Sequence, residues 1–305
     1  MKGTKSITME RNRNFKSGFV SIIGQPNVGK STLLNKLVGE KIAIISDKPQ
    51  TTRNRILAIL NEPELQIVFT DTPGIHKPRT KLGEYMVKVA KDSVGEMDVL
   101  LFVVDATKTI SQMERDIAKN LNAMRTPVIL VINKVDAVRK DALLPLIADY
   151  SSLHHFEAIV PVSALKDDGL DSLKNEIVQY IPKGPAFYPD DMVTDQPEKQ
   201  IAAEIIREKL LWLLDKEIPH GIAIEILRMK DKGRVVEIQA TIYCEKTSHK
   251  GIVIGKNGTV LKKVGSMART DIEKMLEKKV FLELWVKVKT DWRNSNSLIK
   301  NFGYE

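Results

Sequence analysis

The run Phe19-Val20-Ser21-Ile22-Ile23-Gly24-Gln25-Pro26-Asn27-Val28-Gly29-Lys30-Ser31-Thr32-Leu33-Leu34 constrains this chain more than any other. It opens as a short apolar strand and closes as the start of an amphipathic helix. Between the two lies a loop that fits G-x-x-x-x-G-K-[ST]. Gly24 and Gly29 stand where a backbone curling round a phosphate has no room for a Cβ. The loop from Gly24 to Thr32 turns its N–H groups, with the positive end of the following helix, toward an anion. Lys30 then supplies a point charge for the β- and γ-phosphates, and the Ser31 hydroxyl a ligand for Mg²⁺.

A chain of 305 residues has room for about two domains, and 43% apolar with 28% charged residues is the composition of a soluble globular protein. The single cysteine, Cys244, excludes an intramolecular disulfide and fits a reducing compartment. It ends an apolar alternating run, as a buried structural thiol does. No apolar run approaches the ~20 residues that span a bilayer. Residues 1–16 are basic and polar without an apolar stretch, and are expected to be a disordered lead-in rather than a secretory signal.

From 17 to 182 apolar runs (19–23, 66–71, 99–105, 128–133, 159–163) alternate with helical patterns (31–37, 81–93, 111–122, 140–150, 170–180). Continuous apolar strands separated by helices predict a three-layer α/β domain with a mostly parallel sheet, binding its ligand at the carboxyl ends of the strands. A further strand, 56–60, is expected beside 66–69. The polar motifs fall at those strand ends. Asp71-Thr72-Pro73-Gly74 offers a carboxylate for Mg²⁺ through a water and an amide for a γ-phosphate. Asn133-Lys134-Val135-Asp136 offers, in Asp136, two acceptors that match the N1–H and 2-amino donors of guanine. Adenine would leave that carboxylate unpaired, which makes rejection steep. Ser163-Ala164-Leu165 offers a backbone amide for guanine O6.

These residues, in this order, resemble the translation-factor class of P-loop GTPases. The resemblance implies GTP as substrate, Mg²⁺ held by Ser31, Thr52 and Asp71, and a catalytic set of Lys30, Thr52, Gly74 and Asn27. It makes Gln50-Thr51-Thr52-Arg53-Asn54 the first switch, with Thr52 rather than Thr51 as the ligand. Arg53 and Arg55 are expected on a solvated or RNA-facing strand edge. Ile75 stands where many relatives have a water-orienting glutamine, and His76 is expected to be an exposed loop histidine. In several relatives with this substitution K⁺ binds near the loop asparagine, and the resemblance implies Asn27 as a candidate K⁺ site.

The tract 183–199, with three prolines and a glycine between 182 and 191, reads as an interdomain linker. Beyond it, over 200–305, the order is helix, two strands joined at Asp231-Lys232-Gly233, two helices broken at Gly255-Lys256-Asn257-Gly258, and a last strand. That order is the α+β pattern of a type II KH domain, with GKNG as its nucleic-acid loop. Between Lys246 and Lys289 lie 11 Lys and Arg against 4 Asp and Glu, the larger part of the chain's net charge of +8. Lys250, Ile254, Gly255, Lys256, Asn257, Gly258, Lys262 and Lys263 are the candidate RNA-binding residues; Trp285 is expected in the core.

A GTPase joined to such a domain resembles the Era family over nearly the whole chain. The resemblance implies GTP hydrolysis as a switch for binding single-stranded RNA near the 3′ end of 16S rRNA. It also implies a role in assembling the 30S ribosomal subunit, and a cytoplasmic protein that associates peripherally with the membrane. No stable protein partner is expected. The alternatives are an RNA-binding module that holds nucleotide without hydrolysing it, and a membrane-surface G protein.

Overall fold

Apolar runs too short for helices and bounded by turn residues form strands β1 (Lys16–Ile23), β2 (Ile56–Glu62), β3 (Leu65–Asp71), β4 (Val99–Asp105), β5 (Val128–Asn133) and β6 (Ala158–Pro161). The structure, a computed structural model, describes residues 14–48, 50–74, 80–92, 97–215 and 218–304. The strands form one sheet in the order β2-β3-β1-β4-β5-β6. All neighbours are parallel except β2, which pairs antiparallel with β3. Every residue of β3, β4 and β5 is buried, because helices cover both faces. Helices α1 (Lys30–Val38) and α5 (Leu170–Tyr180) pack on one face. Helices α3 (Gln112–Leu121) and α4 (Leu143–Ser151) pack on the other. Helix α2 (Lys81–Asp92) follows β3. The three-layer α/β class is as the sequence predicts, and the strand order reverses direction at β1, so the carboxyl ends of β1 and β4 border the crevice.

Residues 183–194 do not hang between domains; they lie along the edge of the first sheet. Gly184 N donates to Phe15 O (3.0 Å), Ile59 N donates to Val193 O (2.9 Å), and Phe187 packs at a tilt against Phe19 with centroids 4.7 Å apart. Gln66, inside β3, is the fastening. Its Oε1 accepts from Phe187 N (2.7 Å) and Tyr188 N (3.0 Å), while Nε2 donates to Asn61 Oδ1 (2.7 Å) and Tyr188 O (2.9 Å).

The second half runs α6 (Glu198–Leu213), β7 (Ala223–Asp231), β8 (Val235–Cys244), α7 (Thr247–Ile254), α8 (Thr259–Leu276) and β9 (Lys279–Val288). Strands β7 and β8 are antiparallel, β8 and β9 parallel, and the helices cover one face around a single apolar core. Cys244 is buried in that core, as expected. Trp285 is not in the core: it is 55% exposed. Val280 and Val286 of β9 are buried against the core with Leu282 and Leu284 packed beside them, so Trp285 and Phe281 fall on the opposite face by the two-residue period. The chain then continues past β9 into a 3-10 turn (Trp292–Asn294) and α9 (Asn296–Asn301), which the sequence pattern did not announce. This C-terminal segment packs on α2 of the first half through Leu82, Met86, Trp292, Ile299 and Tyr304.

Replacing Gln66 by Leu strips partners from two backbone amides and one carbonyl at a buried position. The expected loss is about 3 kcal/mol of unfolding free energy, read as a lowered urea midpoint with unchanged m.

Candidate functional site

The loop after β1 is held in shape before any ligand chemistry is considered. Gly29 has φ 98° and its α-carbon faces Asn133 Nδ2, so a side chain there would be strained twice over. Asn133, the last residue of β5, donates from Nδ2 to Val28 O (2.9 Å). Its Oδ1 accepts from Lys134 N (2.8 Å) and Ala164 N (3.1 Å). One amide side chain thus ties together the loops after β1, β5 and β6. Lys134, itself at φ 67°, stretches its ammonium to Asn27 O (2.7 Å) and to Asp105 Oδ2 (2.6 Å). Asp136 Oδ1 accepts from Ser163 Oγ (2.6 Å), which fixes the carboxylate at the mouth beside the exposed Leu165. Asp105 was not among the residues expected from sequence. It ends β4, Thr107 donates to it through N (3.0 Å) and Oγ1 (2.7 Å), and although burial pushes its pKa up, the Lys134 and Thr107 donors hold it below the usual range.

On the phosphate side, Gln25 Nε2 donates to Ser111 Oγ, the capped start of α3, and the Asn27 side chain donates to Asp47 O. Gly74 packs its α-carbon against the backbone of Pro26, where a Cβ would meet Pro26 N at 2.8 Å. Thr72 Oγ1 donates to Ile22 O (3.0 Å), pinning the turn after β3 to β1. Lys30 is buried and donates to Gly24 O (3.1 Å) and Gln25 O (2.9 Å). Burial lowers its pKa to about 8, with the Asp71 charge opposing. Burial likewise pushes the Asp71 carboxyl up, against Lys30, Ser31 and Thr52.

Three oxygens meet beside that lysine. Ser31 Oγ donates to Asp71 Oδ2 at 2.8 Å, Thr52 Oγ1 reaches the same oxygen at 3.2 Å, and the two hydroxyls lie 3.0 Å apart. Asp71 Oδ1 is buried with no partner among the described residues. An all-oxygen set of two hydroxyls and a carboxylate, with an orphaned carboxylate oxygen, fits a hard divalent cation such as Mg²⁺. Of the two threonines, Thr52 is at this cluster, whereas Thr51 Oγ1 donates to Lys48 O (2.6 Å). Ile75 and His76 lie outside the described residues.

Residues 41–54 also touch the second half of the chain, a contact with no sequence signature. Trp212 Nε1 donates to Ile45 O (2.9 Å), Ile45 N donates to Glu208 Oε1 (2.9 Å), and Arg207 donates to the carbonyls of Gln50 and Thr51. Lys41 bridges Glu208 (2.7 Å) and Asp271 of α8 (2.9 Å), and the buried Lys209 pairs with the same two carboxylates. Arg53 departs from expectation. Rather than lying on a solvated or RNA-facing edge it is 2% exposed, enclosed by the C-terminal segment.

In the second half, Gly255 (φ 74°), Asn257 (φ 52°) and Gly258 (φ 75°) bend the chain sharply between α7 and α8. Lys256, Asn257, Lys262 and Lys263 are exposed there, while Lys250 and Ile254 are half-buried. Beside the bend an open groove of about 420 Å³ runs between α8 and β9, lined by Gly258, Leu261, Lys262, Arg269, Leu282 and Leu284. Arg269, two helical turns past Lys262, and Leu282 and Leu284 of β9 were not among the candidates.

Residues 19–134 match the family model described as a 50S ribosome-binding GTPase, and residues 217–293 match that of the KH domain. GTPase Era of Ruminiclostridium cellulolyticum is 56% identical over 293 residues, covering 96% of this chain and 98% of that protein. This chain belongs to the Era family of GTPases. The Era of Alkaliphilus metalliredigens is also 56% identical, over 96% of this chain and all of its own. Among solved structures, an Aquifex aeolicus Era variant bound to GDP.AlF4- superposes with TM-score 0.92 at 44% identity, covering 95% of this chain and 99% of that one. An Era in complex with MgGDPNP and nucleotides 1506–1542 of 16S ribosomal RNA matches with the same TM-score, identity and coverage.

The lysine of this site sets a pH dependence. With its pKa near 8, Lys30 is charged below pH 8 and neutral above, and only the ammonium recognises phosphate. GDP affinity is therefore expected to be flat below pH 8 and to fall by up to about tenfold per unit toward pH 9. Fluorescent-GDP titration measures it, and Lys30→Met should bind weakly with that slope removed.

Proposed function

We propose that this chain binds GTP and Mg²⁺ at the loop after β1, hydrolyses the GTP, and uses the two nucleotide states to control binding of single-stranded RNA by its KH domain. The observation that carries this reading is the double engagement of residues 45–52. Thr52 joins Ser31 and Asp71 on one side while α6 grips the neighbouring backbone on the other. The loop N–H groups between Gly24 and Thr32, Pro26 excepted, and the Lys30 ammonium hold the phosphates, and Gly74, packed against Pro26, offers its N–H to a γ-phosphate. Mg²⁺, held by the Ser31 and Thr52 hydroxyls and by Asp71 through a water, offsets the negative charge on the β- and γ-oxygens. Asp136 accepts from guanine N1–H and the 2-amino group, and the amide of the Ser163-Ala164-Leu165 turn donates to O6. Lys30, Thr52, Gly74 and Asn27 act electrostatically, with no covalent intermediate. Asn27 is the position for K⁺, and its amide already spans to the Asp47 carbonyl. Turnover in K⁺ above that in Na⁺ supports that assignment.

RNA is read at the GKNG bend. Its glycines let about four nucleotides of backbone approach closely, Lys250, Lys256, Lys262 and Lys263 supply charge, and the bases lie along the groove beside Ile254. The Era crystallised with a 16S rRNA fragment supports the 3′ end of that RNA as the target, and assembly of the 30S subunit as the setting. On this reading the GTPase unit is 17–182, the linker 183–199 and the KH unit 200–305. Peripheral membrane association of a cytoplasmic protein is consistent with the basic excess; among the described residues no helix is long and apolar enough to cross a membrane.

Two outcomes are expected. RNA carrying the 16S 3′ sequence binds more tightly in the presence of a non-hydrolysable GTP analogue than of GDP, measured by filter binding at fixed salt; equal affinities would refute the switch. Asp136→Asn exchanges an acceptor for a donor opposite purine position 2, so binding should shift from GTP toward XTP by about 10²-fold or more.

A further inference from the structure

We propose that the C-terminal aromatic pair Trp292 and Tyr304 positions Thr52 in the nucleotide site, acting through Arg53, so that the KH half completes the GTP-specific part of the GTPase half. The inference rests on the reading of Thr52 as the residue that senses GTP through Mg²⁺.

Thr52 and Arg53 are consecutive, and their side chains are spent on different halves of the molecule. Thr52 Oγ1 meets Ser31 and Asp71. The Arg53 guanidinium lies beside the stacked rings of Trp292 and Tyr304, its carbon 5.7 and 5.6 Å from their centroids. Its NH1 donates to Ile222 O (2.7 Å) and Tyr304 Oη (3.0 Å), and its NH2 donates to His220 O (3.0 Å). No carboxylate of the described residues is bonded to this buried cation; carbonyl dipoles and ring faces stand in for one. A guanidinium in such a cage has one position, because moving it strips hydrogen bonds from a desolvated charge.

The cage is built on rigid parts. Trp292 is fully buried and donates from Nε1 to Gly221 O (2.9 Å), and its ring stacks on that of Tyr304. The next residue of the switch is tied as well: Asn54 Nδ2 donates to Gly303 O (2.8 Å) and Asn54 Oδ1 accepts from Tyr85 Oη (3.1 Å). Tyr85 belongs to α2, the helix after the Asp71–Gly74 turn, so both nucleotide-sensing segments converge on the same C-terminal strap. With Arg53 caged, Thr52 has at most a single residue of slack, and its hydroxyl is pre-aimed at Ser31 and Asp71. Pre-aiming removes the ordering cost that a free loop would incur only when GTP binds. GDP binding, which does not call on Thr52, gains nothing from it.

The test compares affinities for GDP and for a non-hydrolysable GTP analogue, with Mg²⁺, in the full chain. Tyr304→Phe keeps the ring and removes one bond to Arg53; Arg53→Lys keeps the charge and removes the fork. Thr52→Ala is the reference. All three are expected to hold GDP within about twofold of the parent while losing about tenfold in analogue affinity, with kcat falling alongside. Retained GDP binding shows that each variant is folded. If Thr52→Ala discriminates and the other two do not, the positioning role is overturned and the Thr52 reading stands. If Thr52→Ala does not discriminate either, both fall. If GDP and analogue affinities drop together, the aromatic pair is a general support of the fold and the proposal is likewise overturned.

Discussion

The side-chain amide of Asn133 is the constraint on which the nucleotide end of this molecule depends. It satisfies Val28 O, Lys134 N and Ala164 N at once, from the end of a strand buried at every position. A glycine at position 29 follows from it, since the amide occupies the space of a Cβ. So does the placing of Asp136, three residues on, beside Ser163. Loops are usually the least determined parts of a domain. Here four of them are referenced to one rigid strand end, with Asp105 and Lys134 adding β4 to the set. The loops after β1, β4, β5 and β6 are therefore fixed relative to one another before any ligand arrives.

The residues around Thr52 obey a different rule. Their backbone groups are satisfied across a domain boundary: Ile45 by Glu208 and Trp212, Gln50 and Thr51 by Arg207. Glu208 is fully buried, and its charge is met by Lys41 from one half and Lys209 from the other. Buried ion pairs of this kind add little net stability, since desolvation offsets most of the attraction, yet they are costly to break by halves. Asp271, the fourth member, sits on α8, the helix that lines the basic groove. The nucleotide site and the groove are thus joined by side chains whose partners are specific.

How much of this was legible beforehand follows from which constraints are local. The glycines, the lysine and the strand-end acids could be read because phosphate and guanine chemistry dictate residue type at short, fixed spacing. The alternation of apolar strands and helices gave both sheets for the same reason of short period. Gln66, Asp105 and Arg53 could not be read, since each is a polar residue whose partners are distant in sequence: Tyr188 lies 122 residues from Gln66 and Tyr304 lies 251 from Arg53. Nothing in a window around Arg53 distinguishes a caged guanidinium from a solvated one. Trp285 is a different case, because its odd-numbered parity with Phe281 on β9, opposite Val280 and Val286, is visible in the sequence.

The choice of hydrogen bonds and charges over apolar contacts at the α6 contact has a mechanical consequence. Apolar burial is non-directional, and two greasy surfaces can slide by an ångström at small cost. The contact between α6 and residues 45–51 cannot slide. Glu208 must meet Ile45 N, and Arg207 must meet two successive carbonyls, in one register only. An intermediate placement would leave a buried carboxylate and a buried guanidinium each short of partners, at several kcal/mol apiece. Such an interface is either made or released into water, where both ions regain solvation. If the segment around Thr52 responds to one phosphate group, as proposed, that kind of all-or-none partner suits it, and a continuous apolar seam would not supply it.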